Sequence, residues 1–264
     1  LFLRFRNKFK RSINRKKSFE NFSSSTDLIN KHEYKISSQN NEDGIINYIF
    51  KIVPNKKKFI EIGIGYYEFN SLNLINNNWT GLIIEQNYEE CLILKRMLNS
   101  FYPESQVNIL RELVNKKNIN ELVNKQNFIE KVDFFSIDID GNDYWVLKEL
   151  DLKNISCVCL EYNHWLGNKV EKTIPYNENL DYTDNGFFGA SLLAFNNLMN
   201  SKNFKLIAVD SSGTNAFFIQ NKFSHLFEVL DPIKSFKSVG RLYSKEKRQK
   251  IFSDIKKFNF IDAN

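Results

Sequence analysis

Residues Val132–Asp143, VDFFSIDIDGND, limit the folds open to this chain more than any other stretch. An apolar run of strand length carries Asp138 and Asp140 to its end, turns at Gly141 and leaves Asp143 just beyond. Inside a core such acids are a liability, because an unpaired buried carboxylate costs several kcal/mol. At the C-terminal edge of a parallel sheet they sit where ligands bind. The stretch therefore predicts a parallel sheet with an acidic ligand edge.

Much of the remaining sequence supplies that sheet. Ser37–Lys51 reads as a helix with a capped, acidic first turn (Ser38-Gln39-Asn40-Asn41-Glu42-Asp43) and Ile45, Ile46, Ile49 and Phe50 on one face. Lys58–Gly63 is a short strand, and the Ile62-Gly63-Ile64-Gly65 turn after it permits positive φ and close approach to a ligand. A helix begins in Phe69–Ile75, and Gly81–Glu85 is a second strand. Glu85 lies 20 residues past Gly65, the spacing at which a carboxylate meets the hydroxyls of an adenosine ribose. Tyr88–Ser100, Asn118–Gln126, Tyr144–Leu150 and Ala190–Ser201 have helical character; Val107–Leu113 and Ile155–Tyr162 read as strands. Phe204–Val209 and Asn215–Gln220 are separated by a connection short enough to require an antiparallel hairpin.

Alternating strands and helices predict an α/β fold. Its expected form is a doubly wound, seven-stranded and mostly parallel sheet, with a closing antiparallel hairpin and helices on both faces. Residues 165–189 lack periodicity, and a loop of that length in a compact domain is usually functional. The expected organisation is a basic arm and linker over 1–36, the main domain over 37–222 and a basic helical extension over 223–264. Within the extension, Ser244–Lys257 reads as a basic surface helix.

The net charge of +6 over 264 residues is unevenly placed. Residues 1–19 hold eight Lys/Arg and no acid, which leaves 29 basic against 31 acidic side chains elsewhere. A near-neutral body argues against a broad nucleic-acid surface. The arm interleaves Leu1, Phe2, Leu3, Phe5 and Phe9 with its charges. It is either a solvated terminus or a contact for an anionic membrane or a protein partner. No run of eighteen apolar residues occurs, so no membrane span is expected. Three cysteines, two of them (Cys157 and Cys159) on one strand face, suit buried thiols better than disulfides or zinc. That usage predicts a reducing, cytoplasmic compartment; contact with the inner membrane face belongs to the alternative in which the arm binds an anionic membrane.

Phe59-Ile60-Glu61-Ile62-Gly63-Ile64-Gly65 resembles motif I (E-x-G-x-G) of S-adenosylmethionine-dependent methyltransferases. More narrowly, an ordered set of stretches resembles the FkbM-like group over about residues 37–220: Ser38–Ile45, Trp79-Thr80-Gly81, Ser136–Asp143, Leu160–Asn163 and Phe188-Gly189-Ala190-Ser191. The resemblance implies a Rossmann-like methyltransferase sandwich and S-adenosyl-L-methionine as cofactor. It also implies a sugar or glycan hydroxyl as acceptor, as in capsule and surface-polysaccharide synthesis. Glu61, Gly63 and Gly65 would line the methionine and ribose part of the cofactor. Glu85 would take the ribose hydroxyls, with Gln86 and Asn87 at the adenine edge. Where many methyltransferases have a third glycine this chain has Tyr66-Tyr67, which implies a different hold on the methionine end.

Methyl transfer from a sulfonium is an in-line displacement that needs alignment and removal of the acceptor proton. Neighbouring fourth and fifth strands would bring Asp138 and Asp140 beside Glu161 and Asn163, an oxygen set suited to Mg²⁺, Mn²⁺ or Ca²⁺. A metal there would acidify the acceptor hydroxyl. In the alternative, Asp138 and Asp140 hydrogen-bond the cofactor amine and cap the next helix without a metal. His164 is the candidate general base, its ordinary pKa of about 6.5 being apt; Asp140 and Asp143 are the other candidates. Tyr176, Tyr182, Asp184 and Asn163 are candidate acceptor contacts, and His32 and His225 are expected to be structural or exposed. Rival readings are a methyltransferase for another small molecule or a nucleic-acid ribose, a non-catalytic glycan- or partner-binding module on the same fold, and an NAD-dependent oxidoreductase.

Overall fold

The computed structural model describes residues 29–65, 69–124, 131–180, 183–238 and 243–263. The basic arm, Tyr66-Tyr67 and Tyr182 lie outside the described residues. Seven strands form one sheet: β1 (Lys58–Ile62), β2 (Thr80–Glu85), β3 (Val107–Arg111), β4 (Val132–Ile137), β5 (Ile155–Glu161), β7 (Phe204–Val209) and β8 (Asn215–Gln220). Two-residue strands β6 (Lys172–Thr173) and β9 (Ile261–Asp262) pair separately. The sheet order is β3-β2-β1-β4-β5-β8-β7, parallel from β3 through β5, with β8 antiparallel to both β5 and β7. This is the doubly wound sheet with a closing hairpin that the alternating pattern predicts. Strand order reverses between β1 and β4, which opens a crevice at their C-terminal ends.

Successive strand residues point to opposite faces, and both faces are covered. On one, Phe59, Ile83, Phe134 and Phe217 pack beneath α1 (Glu42–Ile52), α2 (Leu72–Asn76) and α3 (Tyr88–Phe101). On the other, Ile60, Leu82, Phe135, Val158 and Phe218 meet α4 (Ile119–Asn124), α5 (Asp143–Glu149) and α6 (Leu192–Ser201). Burying each such side chain contributes about 1.5–3 kcal/mol, so the central strands form the rigid base of the crevice. Cys91, Cys157 and Cys159 are buried free thiols. No helix among the described residues is long and apolar enough to cross a membrane.

Two elements depart from the sequence reading. Helix α1 starts at Glu42 rather than Ser37, because the Asp43 carboxylate accepts the backbone amides of Ile36, Ser37 and Ser38 at 2.7–2.9 Å and folds them into a turn. The C-terminal extension is more than a basic surface helix. After a single turn, α7 (Pro232–Ser235), helix α8 (Lys245–Ile255) buries Ile251 to 2% exposure, and β9 pairs with β6 inside the 165–189 loop.

Candidate active site

The crevice is built from the β1 turn outward. Gly63 has φ +76°, and a Cβ on it would lie 1.7 Å from the Asp138 carbonyl oxygen, so glycine alone fits. Its amide donates to Ile84 O (3.0 Å), while Asp138 N donates to Ile62 O (2.9 Å), which draws the ends of β1, β2 and β4 together. At the end of β2, Glu85 is buried and accepts the amides of Ile64 (3.1 Å) and Asn87 (2.6 Å). It thereby connects the glycine turn to the turn at Gln86-Asn87. Asn87 caps α3 through the amides of Glu89 and Glu90. Gly65 is exposed at the mouth of this turn.

Glu61 is braced from the opposite side. Its carboxylate accepts Asn70 N and Ser71 N, both at 2.8 Å, and the Ser71 hydroxyl. Burial still raises its pKa to about 7, against the lowering effect of those hydrogen bonds. Asn70, which the sequence reading did not single out, donates to Ser136 Oγ (3.1 Å) and so spans β1 and β4. The local signal was Ser71, the residue before α2.

Asp138, Asp140 and Glu161 each present a carboxylate oxygen within 4.8 Å of the others. Burial, followed by the charges of Asp140 and Asp143, pushes Asp138 well above the usual carboxylate range. Glu161 rises likewise, through burial and then the charges of Asp138, Asp140 and Asp143; Asp138 and Glu161 hydrogen-bond each other. Asp140 is an exposed residue, yet partial burial, followed by the charges of Asp143 and Asp184, raises its pKa to about 6. Asp140 stands at φ +53°, a left-handed position uncommon for a residue other than glycine. Asp143 holds that turn: its oxygens accept Ile139 N and Gly141 N, both at 2.9 Å. The cluster thus comprises groups that attract protons and cations, with Asp143 as its internal brace.

Asn163, His164 and the loop residues take separate places. Asn163 is fully buried; it donates to Gly186 O (2.9 Å) and Phe188 O (2.8 Å) and accepts Trp165 N (3.0 Å), so its carboxamide ties the long loop down. His164 is 5% exposed, and both ring nitrogens lack a hydrogen-bond partner among the described residues. Burial lowers its pKa to about 3, which leaves it a weak base. Asp184 reaches the acidic edge and pairs with Lys247 of α8. Tyr176 lies with Trp145 around the Lys116 ammonium, its ring 4.2 Å from the cation, and its hydroxyl bonds Glu178 (3.3 Å). Leu180, from the same loop, occupies the space over Gly141.

A sheet of this order, with a glycine turn and a terminal acid across its switch point, defines a Rossmann-like S-adenosylmethionine-dependent methyltransferase. Residues 47–231, well over half the chain, match the model of the methyltransferase FkbM domain. The chain belongs to the FkbM methyltransferase family. Among solved structures it is similar to the N-terminal domain of EvdMO1 with bound S-adenosylhomocysteine, at 9% identity over 69% of this chain and 80% of that one, TM-score 0.45. It is also similar to an S-adenosylmethionine-dependent methyltransferase from Clostridium acetobutylicum, at 10% identity over 68% and 90% of the two chains, TM-score 0.44. A third similar structure, from Methanosarcina mazei, shares 12% identity over 65% and 94%, TM-score 0.39. Comparison with curated proteins gives no match.

Proposed function

We propose that this methyltransferase transfers the methyl group of S-adenosylmethionine to a hydroxyl of a sugar, carried on a nucleotide or a surface-polysaccharide precursor. The observation that carries the reading is the Asp138–Asp140–Glu161 cluster beside the glycine turn. Its donor set fits the cofactor, whose sulfonium and ammonium groups are cations that carboxylates attract. Glu85 spends one hydrogen bond on each oxygen, which leaves acceptor capacity for a ribose diol. Bound there, the cofactor supplies an electrophilic methyl group. Asp138 is placed to hold the ammonium group, and Asp140 to take the acceptor proton. A raised pKa of about 6 suits Asp140 to that exchange near neutrality, whereas His164 is too weak a base. The same three carboxylates are also suited to a divalent cation such as Mg²⁺ or Mn²⁺, a second reading that rests on their mutual distance alone.

The test is calorimetric titration with S-adenosylhomocysteine, followed by transfer of labelled methyl to UDP-, GDP- and dTDP-linked hexoses, with and without EDTA. Micromolar binding that is lost in Glu85→Ala, together with a labelled sugar product, is the expected result. Binding without any sugar product overturns the acceptor class, and no binding favours the non-catalytic module. Activity unchanged by EDTA removes the metal reading.

A further inference from the structure

Ile29, the first of the described residues, lines a groove. The helical turn Ile29–His32 lies against β7: Asn30 Nδ2 donates to Val209 O (2.9 Å), and the next residue, Glu33, accepts the amide of Ser211 (2.8 Å). These bonds fix the point at which residues 1–28 join the body. Beside that point, Tyr48 of α1, Ile207 of β7, and Leu226 and Leu230 of the chain after β8 surround a volume of about 170 Å³, with His225 and Glu228 as its polar side. None of the lining residues belongs to the acidic edge.

The surface around the groove is apolar as well. Leu226, Val229 and Ile233 are three of the seven large apolar side chains exposed among the described residues, and all three fall within one stretch of eight residues. Asn168 Nδ2 donates to Ile233 O (2.9 Å), which brings a fourth, Val170, toward the same stretch. Exposed apolar side chains gathered in this way mark a contact surface. The volume sets the size of the contact. An apolar cavity of about 150 Å³ takes one benzene ring, so this groove has room for a single phenyl group.

We propose that the groove is an intramolecular docking site for Phe22 of the same chain, which fastens residues 1–28 to the β7 side of the body. Phe22 is the aromatic residue nearest to Ile29 in the preceding sequence, seven positions before it. A connection of that length spans up to about 24 Å. The residues between include Ser23-Ser24-Ser25-Thr26-Asp27, and serine and aspartate favour the chain reversal that returns Phe22 to the groove. So short a tether also holds the ring at an effective concentration in the millimolar range, which favours it over a separate partner. With Phe22 seated, the basic residues 1–19 depart from that side of the sheet.

The experiment is disulfide trapping in the full chain. Cys91, Cys157 and Cys159 are buried, so an introduced pair supplies the reactive thiols. Ser23→Cys with Val229→Cys leaves Phe22 and every lining residue in place, since Val229 is 51% exposed beside the groove and is not part of its wall. Oxidised glutathione is expected to close the intrachain disulfide at least about tenfold faster than in the same chain carrying Phe22→Ala, with Phe22→Leu between the two. Equal rates with and without Phe22 overturn the proposal, because the tether alone then sets the encounter. Failure of the disulfide to form in any of the three chains overturns it too. A disulfide between two chains gives the groove to a second copy and likewise overturns it.

Discussion

Removing the charge of Glu61 should change how stability depends on pH, by an amount the structure sets. Glu61 is 3% exposed, and its pKa stands at about 7 against an ordinary 4.5. At about 1.4 kcal/mol per pH unit, that difference corresponds to about 3 kcal/mol of burial penalty on the charged form. The sign follows from proton uptake. Between the two pKa values the folded chain holds more protons on Glu61 than the unfolded chain does, so its contribution to stability falls as pH rises through that window. Below the window the group is neutral in both states; above it the full penalty applies. Glu61→Gln abolishes this titration and adds a pH-independent loss. An amide has one oxygen to offer, where Asn70 N, Ser71 N and the Ser71 hydroxyl now share two. Urea unfolding followed by tryptophan fluorescence, at about pH 5 and about pH 8, separates the two effects. The variant should be less stable at the lower pH and recover about 2.5 kcal/mol relative to the parent at the higher, since a small part of the penalty is already present at about pH 5. A difference between the two proteins that stays constant across the range would refute the reasoning, because it would mean the hydrogen bonds fully offset desolvation.

Gly63→Ala forces a Cβ against the Asp138 carbonyl at positive φ, so a loss of about 2 kcal/mol or more and no binding of S-adenosylhomocysteine are expected in thermal melts and calorimetry. Asn163→Leu removes three hydrogen bonds made by buried groups, for a loss of about 3 kcal/mol, with faster amide hydrogen exchange over Gly186–Gly189 as the local readout. Cys157 and Cys159 are buried, and burial raises both thiol pKa values, so neither should react with Ellman's reagent until the chain is unfolded.

The sheet was legible because its information is local. Mostly apolar runs at β4 and β5, a hairpin with a short connection, and acids at strand ends are each visible within a dozen residues. The glycine turn was legible for the same reason. What escaped depends on contacts between distant segments. Nothing near Ser38 reveals that Asp43 will claim the amides before it and postpone the helix. Nothing near His164 reveals that Tyr243, from the C-terminal segment, will stack on it. Asn163 reads equally well as a ligand or as a brace, and only Gly186 and Phe188, more than twenty residues on, decide between them. Two-residue strands such as β6 and β9 carry no periodicity, so their pairing left no trace in the sequence.

That pairing has a consequence for the order in which the protein becomes competent. Domains form from the N-terminal side as a chain emerges during synthesis. The glycine turn, Glu85 and the acids at Asp138, Asp140 and Glu161 can assemble once the first five strands are out. Thr173 must wait for Ile261, about 90 residues downstream, before its edge is covered. A growing chain therefore completes the acidic edge of β1–β5 well before β9 can cover β6, and a nascent chain stalled before β9 would have the former without the latter.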